Sequence, residues 1–214
     1  MEFKLFDLGL VDFQSAWDLQ KRLYLKIKQG KLYCALILCQ HKPVITLGRR
    51  SKEENILAKN GQLEKLGIKT YEIERGGDVT YHGPGQLCVY PIVNLIYFKK
   101  DINWFLRSLE ALLIDVLSDF RIQSQSLPGM TGIWVEQKKI ASIGIAIKNW
   151  ITFHGMSLNV KKDDMENFSL IRPCGLDIII TSMETILQKE VKINKVKEVL
   201  TRRWYETSNF ARIG

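Results

Sequence analysis

The chain has 214 residues, 46% of them hydrophobic and 25% charged, with a formal net charge of +8. That length supports one domain with a full core and needs no metal or disulfide staple, and the composition excludes an intrinsically disordered or fibrous chain. No apolar run approaches the roughly 18 residues of a membrane span, so a membrane protein is not expected.

Met1 to Phe6 has no basic region followed by an apolar stretch, so no secretory signal is expected and a cytoplasmic protein is. Residues 3 to 7 read as a short strand. Between Asp12 and Gln29, Phe13, Ala16, Trp17, Tyr24 and Ile27 fall at helical spacing, and Gly30 ends the pattern. Leu32 to Cys39 is an apolar strand, and Pro43 to Leu47 reads as its possible continuation. A short helix over Asn60 to Leu66 and a strand over Ile68 to Glu74 follow. A glycine-rich loop runs from Gly76 to Gly85, and Leu87 to Val93 is again an apolar strand. Asp101 is placed to cap a long helix through Phe105, Leu109, Leu112, Leu113, Val116 and Phe120. Strands are expected at Thr131 to Val135, Lys139 to Ile147 and Ile151 to Val160, and a last helix at Asn194 to Trp204. No linker or repeat divides the chain. The expected fold is a mixed α/β sandwich in one piece, a single domain over 1–214.

The positive charge is clustered. Residues 18 to 31 carry a net +4 and residues 186 to 214 another +4. Such surfaces suit an acidic partner, although a solvated helix face is the commoner meaning. The four cysteines lack CxxC spacing and read as reduced thiols. Cys34 and Cys39, five apart on one strand, point to opposite faces and read as core, as does Cys88. Three scattered histidines and no paired cysteines make a metal site unexpected.

The densest chemical signal is Arg75-Gly76-Gly77-Asp78-Val79-Thr80-Tyr81-His82-Gly83-Pro84-Gly85-Gln86. Four glycines permit positive φ and close approach of the main chain to a ligand. Arg75 could give charge-assisted bonds to a carbonyl, a carboxylate or a phosphate. GxxxxGK[ST] is absent, and nothing in the chain demands ATP or a dinucleotide.

This string resembles the signature of the lipoyl/octanoyl transferases. His41-Lys42-Pro43-Val44-Ile45-Thr46-Leu47-Gly48-Arg49-Arg50 is similar to that family's upstream segment. Lys139-Ile140-Ala141-Ser142-Ile143-Gly144 is similar to its lysine strand, and Thr152 to Val160 to the strand after it. Ile171-Arg172-Pro173-Cys174-Gly175-Leu176 resembles the segment with the catalytic cysteine. Met156 and Ser157 stand where Leu-Ala is frequent, and Asp78 puts an acid in the loop.

The resemblance implies the α/β (α+β) fold of biotin and lipoate protein ligase catalytic domains, a mixed central sheet flanked by helices. It implies Cys174 as nucleophile and acyl-thioester carrier, with Lys139 as its activator and general acid/base. Residues 75 to 82 (Arg75, Gly76, Gly77, Asp78, Val79, Thr80, Tyr81, His82), with Ser142, Ile143, Gly144, Gly155, Met156 and Ser157, would line an acyl pocket. His82 and His154 each have a possible part in orienting substrate, beside a purely structural one. The implied donor is octanoyl-acyl carrier protein. The implied acceptors are lipoyl domains of 2-oxoacid dehydrogenases and the glycine cleavage H protein. No cofactor, nucleic acid or membrane is implied. The alternatives are an ATP-dependent lipoate or biotin ligase of the same fold, and a non-catalytic module binding acyl carrier protein or nucleic acid.

The residues support the implied dyad. A free thiol is only a few per cent thiolate at neutral pH, and a neighbouring ammonium favours the thiolate. On a regular strand Lys139 shares a face with Ala141, Ile143, Ile145 and Ile147, where desolvation would favour its neutral amine.

Overall fold

A computed structural model describes residues 3–163, 165–173 and 178–207. In chain order the strands are β1 (Phe3–Val11), β2 (Cys34–His41), β3 (Val44–Leu47), β4 (Lys69–Glu72), β5 (Val79–His82), β6 (Gln86–Val93), β7 (Gln125–Leu127), β8 (Met130–Val135), β9 (Lys138–Lys148) and β10 (Ile151–Asn159). The helices are α1 (Phe13–Lys28), α2 (Gln62–Lys65), α3 (Ile102–Asp119), α4 (Met183–Leu187) and α5 (Ile193–Thr207).

Seven strands form one mixed sheet in the order β1-β2-β6-β10-β9-β8-β7, and three more form a small sheet, β4-β3-β5. The pairs β1/β2 and β3/β4 are parallel, and the others are antiparallel. A parallel neighbour needs a crossover, and α1 supplies it between β1 and β2.

Both faces of β2 and β6 are covered, so β2 reads as a continuous apolar run rather than an alternating one. Ala16, Leu23 and Ile27 of α1 pack on one face of the large sheet with Ile37, Cys39, Cys88 and Ile92. Phe105, Leu109, Leu113 and Val116 of α3, with Val196, Leu200 and Trp204 of α5, cover the other with Cys34, Leu36 and Val89. Cys34 and Cys39 therefore do lie in different cores, as their spacing requires. Asp101 caps α3 by accepting from the Trp104 N–H at 2.9 Å, which stabilises a helix by about 1 kcal/mol.

The sequence-based expectation fails at two points. Residues 44–47 are not a continuation of β2 but the centre of the small sheet, paired to β4 and β5. The glycine-rich string is not one loop: β5 runs through it, because Val44↔His82 and Leu47↔Val79 pairing recruits its β-branched middle. The short β7 and α4 were not expected.

Candidate active site

A cavity of about 980 Å³ opens where the small sheet meets the large one. That is within the range of small-molecule sites. Three parts of its wall carry the residues named from the sequence or flank them: the loop before β5 with β5 itself, strands β9 and β10, and residues 172, 173 and 178.

The first wall is held in place by Arg75. Its Nη2 donates to the Thr46 carbonyl at 2.7 Å and to Thr46 Oγ1 at 3.1 Å, its Nε to the same hydroxyl at 3.3 Å, and its Nη1 to the Gly76 carbonyl at 3.1 Å. Much of the fork is thus spent on clamping the loop to β3 rather than aimed at a ligand. The Gly76 N–H donates to the Ile145 carbonyl at 2.8 Å and joins the two sheets. A Cβ on Gly144 would lie 3.0 Å from Arg75 Cδ and 3.1 Å from the Gly76 carbonyl oxygen, so glycine permits this approach. Asp78 is turned inward. Its Oδ1 accepts from the Val79 N–H at 2.7 Å and its Oδ2 from Asn55 Nδ2 at 2.5 Å.

Gly76, Gly77, Val79, Thr80 and His82 line the cavity together with Arg75 and Asp78. Tyr81 does not. Strand alternation in β5 sends its ring into a separate core with Ile45, Ile68 and Phe168.

The second wall holds Ser142, Ile143, Gly144, Gly155, Met156, Ser157 and His154, all named from the sequence. Lys139 is also here, but not on the strand face expected of it. Ile133 of β8 lies opposite Ala141, yet the next β8 residue, Trp134, lies opposite Lys139. Ile140 is thus an extra residue, a β-bulge. Ile133, Ile140 and Ala141 fill the core, whereas Trp134 and Lys139 line the cavity. The predicted apolar strand face is therefore not what buries the lysine. Trp134 and Gly132 do so: Lys139 is only 6% exposed, with Nζ 5.4 Å from the Trp134 ring centroid, within cation–π range. Gly132 has φ +126°, and a Cβ there would lie 2.6 Å from Lys139 Cε. Glycine is required twice over, by backbone and by room.

The three histidines are buried and neutral in character. His41 Nδ1 faces the Val11 carbonyl at 3.3 Å, which only accepts, so its Nε2 is the acceptor for Tyr90 Oη at 2.6 Å. Burial pulls its pKa down to about 4. His82 Nδ1 donates to Gln86 Oε1 at 2.5 Å. Burial first, then His41, holds its pKa at about 3. His154 Nε2 is 3.3 Å from Glu74 Oε2. Burial lowers its pKa, and the Glu74 carboxylate offsets only part of this. His154 sits at φ +57°, uncommon for a non-glycine residue, and its N–H donates to Gln20 Oε1 at 2.7 Å. Burial also pushes the thiols of Cys34 and Cys88 up to about 12 and that of Cys39 well up, which makes them poor nucleophiles.

Cys174 lies outside the described residues. On the near side Arg172 and Pro173 line the cavity, and on the far side Ile178 does. The next residues are tied to the lysine: Lys139 N–H donates to the Ile179 carbonyl at 2.8 Å, and Thr181 N–H to the Lys139 carbonyl at 3.0 Å.

The expected basic surfaces stand elsewhere. Among the described residues, no lysine or arginine of 18 to 31 or 186 to 207 lines the cavity. Several are neutralised: Lys197 by Asp7 at 2.7 Å, and Arg202 and Arg203 by Asp119 at 2.7 and 2.6 Å. The rim instead carries Arg50, Lys52 and Arg172 beside Glu54. Among the described residues, no group of three or more His, Cys, Asp or Glu could hold a metal. No helix there is long and apolar enough to cross a membrane.

The lipoyl protein ligase A/B catalytic domain family matches residues 12–204. An octanoyltransferase of Solibacter usitatus is 44% identical over 203 residues, which cover 95% of this chain and 91% of that protein. One of Caldicellulosiruptor saccharolyticus is 44% identical over 203 residues, covering 92% and 84%. Among solved structures, a lipoate protein ligase A bound with ATP superposes with a TM-score of 0.75 at 17% identity, covering 97% of this chain and 85% of that one. The Aquifex aeolicus biotin protein ligase in complex with biotin and ATP gives 0.57 at 17% identity, covering 95% and 69%. At such identities the structures speak to the fold alone.

Proposed function

Because the chain belongs to the lipoyl protein ligase A/B catalytic domain family, we propose that it is an acyltransferase of protein lipoylation that moves an octanoyl group onto lipoyl domains, as the names of its 40–44% identical relatives indicate. The observation that carries the mechanism is the meeting, around one cavity, of Lys139 with both described flanks of Cys174.

In this reading the donor is octanoyl-acyl carrier protein. Cys174 passes its proton to Lys139, and its thiolate attacks the thioester carbonyl. The bond from the carbonyl to the phosphopantetheine sulfur breaks as the bond to Cys174 sulfur forms, and Lys139 returns the proton to the departing sulfur. Acylation removes the anion beside Lys139, and burial then favours the neutral amine. That amine takes the proton of the attacking lipoyl-domain lysine. An amide bond forms, Cys174 sulfur leaves, and the proton goes back to it. The Gly76 N–H is already committed to the Ile145 carbonyl and so does not serve as an oxyanion donor.

A thioester donor needs no nucleotide. Transfer from octanoyl-acyl carrier protein to an apo lipoyl domain, followed by intact mass, should proceed at the same rate without ATP and magnesium. Strict dependence on both would assign the chain to the ligase reaction.

The rim gives a second test. Arg50→Glu with Lys52→Glu should raise the apparent KM for the acidic carrier roughly 3- to 10-fold at low ionic strength and less at high salt, since rim charges act mainly on association. A small octanoyl thioester should react unchanged. Equal effects on both donors would remove the rim as docking surface.

A further inference from the structure

A line of buried amide groups crosses the molecule behind the cavity, and the mechanism above does not use it. Asn159 ends β10 and is 4% exposed. Its Nδ2 donates to the Thr181 carbonyl at 2.9 Å, and its Oδ1 accepts from Gln86 Nε2 at 2.9 Å. Gln86 Oε1 in turn accepts from His82 Nδ1. A carbonyl can only accept, so each link is polarised one way, from His82 through Gln86 and Asn159 to Thr181.

The line ends where it bears on the chemistry. The β9/β10 register runs to Leu158↔Ala141 and stops. Beyond that point residues 179–181 take the place of β10 beside Lys139, bonded to it through both its N–H and its carbonyl. This strap is the described continuation of the segment that bears Cys174. Asn159 is the residue from which β10 diverges, and its amide spans the gap with one donor and one acceptor. Few side chains of that length offer both.

Resting on the Cys174 and Lys139 reading, we infer that Asn159 is a positioning residue: by anchoring the 179–181 strap to Gln86 it holds against Lys139 the strap that follows Cys174 in the chain. Asn159 does not itself line the cavity.

Asn159→Asp isolates this role. It keeps size, shape and the acceptor for Gln86, but sets an oxygen against the Thr181 carbonyl. The amides of Thr181 and Lys139 should exchange roughly 10- to 100-fold faster with deuterium. The kcat for transfer should fall roughly 10- to 100-fold, because small misplacements of reacting groups are costly, while KM for the octanoyl donor stays nearly unchanged. Alkylation of Cys174 should level off at a higher pH than in the wild type. Asn159→Ser reads the same quantities should the aspartate variant fail to fold. A folded variant whose kcat and alkylation profile match the wild type overturns the proposal, as does a loss of activity explained wholly by a smaller folded fraction. If wild-type Cys174 itself alkylates as an ordinary thiol, the dyad falls and this role with it.

Discussion

Cys174→Ala is expected to abolish both octanoyl transfer and the covalent adduct formed on mixing with octanoyl-acyl carrier protein. The wild type should gain one octanoyl mass that hydroxylamine removes, as thioesters require. Cys34→Ala, Cys39→Ala and Cys88→Ala should each keep the adduct, because burial holds those thiols protonated far above neutral pH. The activity loss should reach several orders of magnitude, since the donor then has no nucleophile to acylate. An adduct that survives Cys174→Ala, or one that resists hydroxylamine, refutes the assignment.

Lys139→Ala should be the next most damaging change. An ammonium a few ångströms from a thiolate favours the ionised sulfur, by about 4 kcal/mol at 4 Å for an effective dielectric of 20 before desolvation is subtracted. Removing it moves the alkylation inflection up toward the free-thiol value, and 1–3 kcal/mol at about 1.4 kcal/mol per unit is a reasonable net size. Octanoyl transfer should fall more at pH 7 than at pH 9, because alkali restores the thiolate but not the proton carrier. Lys138 is exposed and does not line the cavity, so Lys138→Ala serves as the control. The bulge makes this pair informative: were Lys138→Ala the harmful variant and Lys139→Ala silent, the β8/β9 register would be wrong.

What could be read from residues alone was whatever depends on near neighbours. The α3 cap at Asp101, the opposite facing of Cys34 and Cys39, and the helical stripe of α1 are local periodicities. The facing of Lys139 was not, because a period of two assumes an unbroken pleat and Ile140 breaks it. A signal did exist: a lone glycine inside a strand, Gly132, marks a bulge or a close approach. Charge is a related case. Part of the basic run at 186–207 meets acids from distant elements, Lys197 with Asp7 and Arg203 with Asp119, whereas Arg172 joins Arg50 and Lys52 at the cavity only in space. The Gln86–Asn159 bond spans 73 positions, and neither residue type announces a partner so far away.

The three imidazoles have a consequence for kinetics. In most enzymes an inflection in rate between about pH 5 and 8 is ambiguous, because histidine titrates there. Here burial has moved His41 and His82 to about 4 and 3 and has shifted His154 in the same direction. An inflection in that window is then not one of His41 or His82, and the proposed pair of Cys174 and Lys139 becomes the one to test there. Comparing the pH–rate curve between the wild type and Lys139→Ala tests the proposed pair directly.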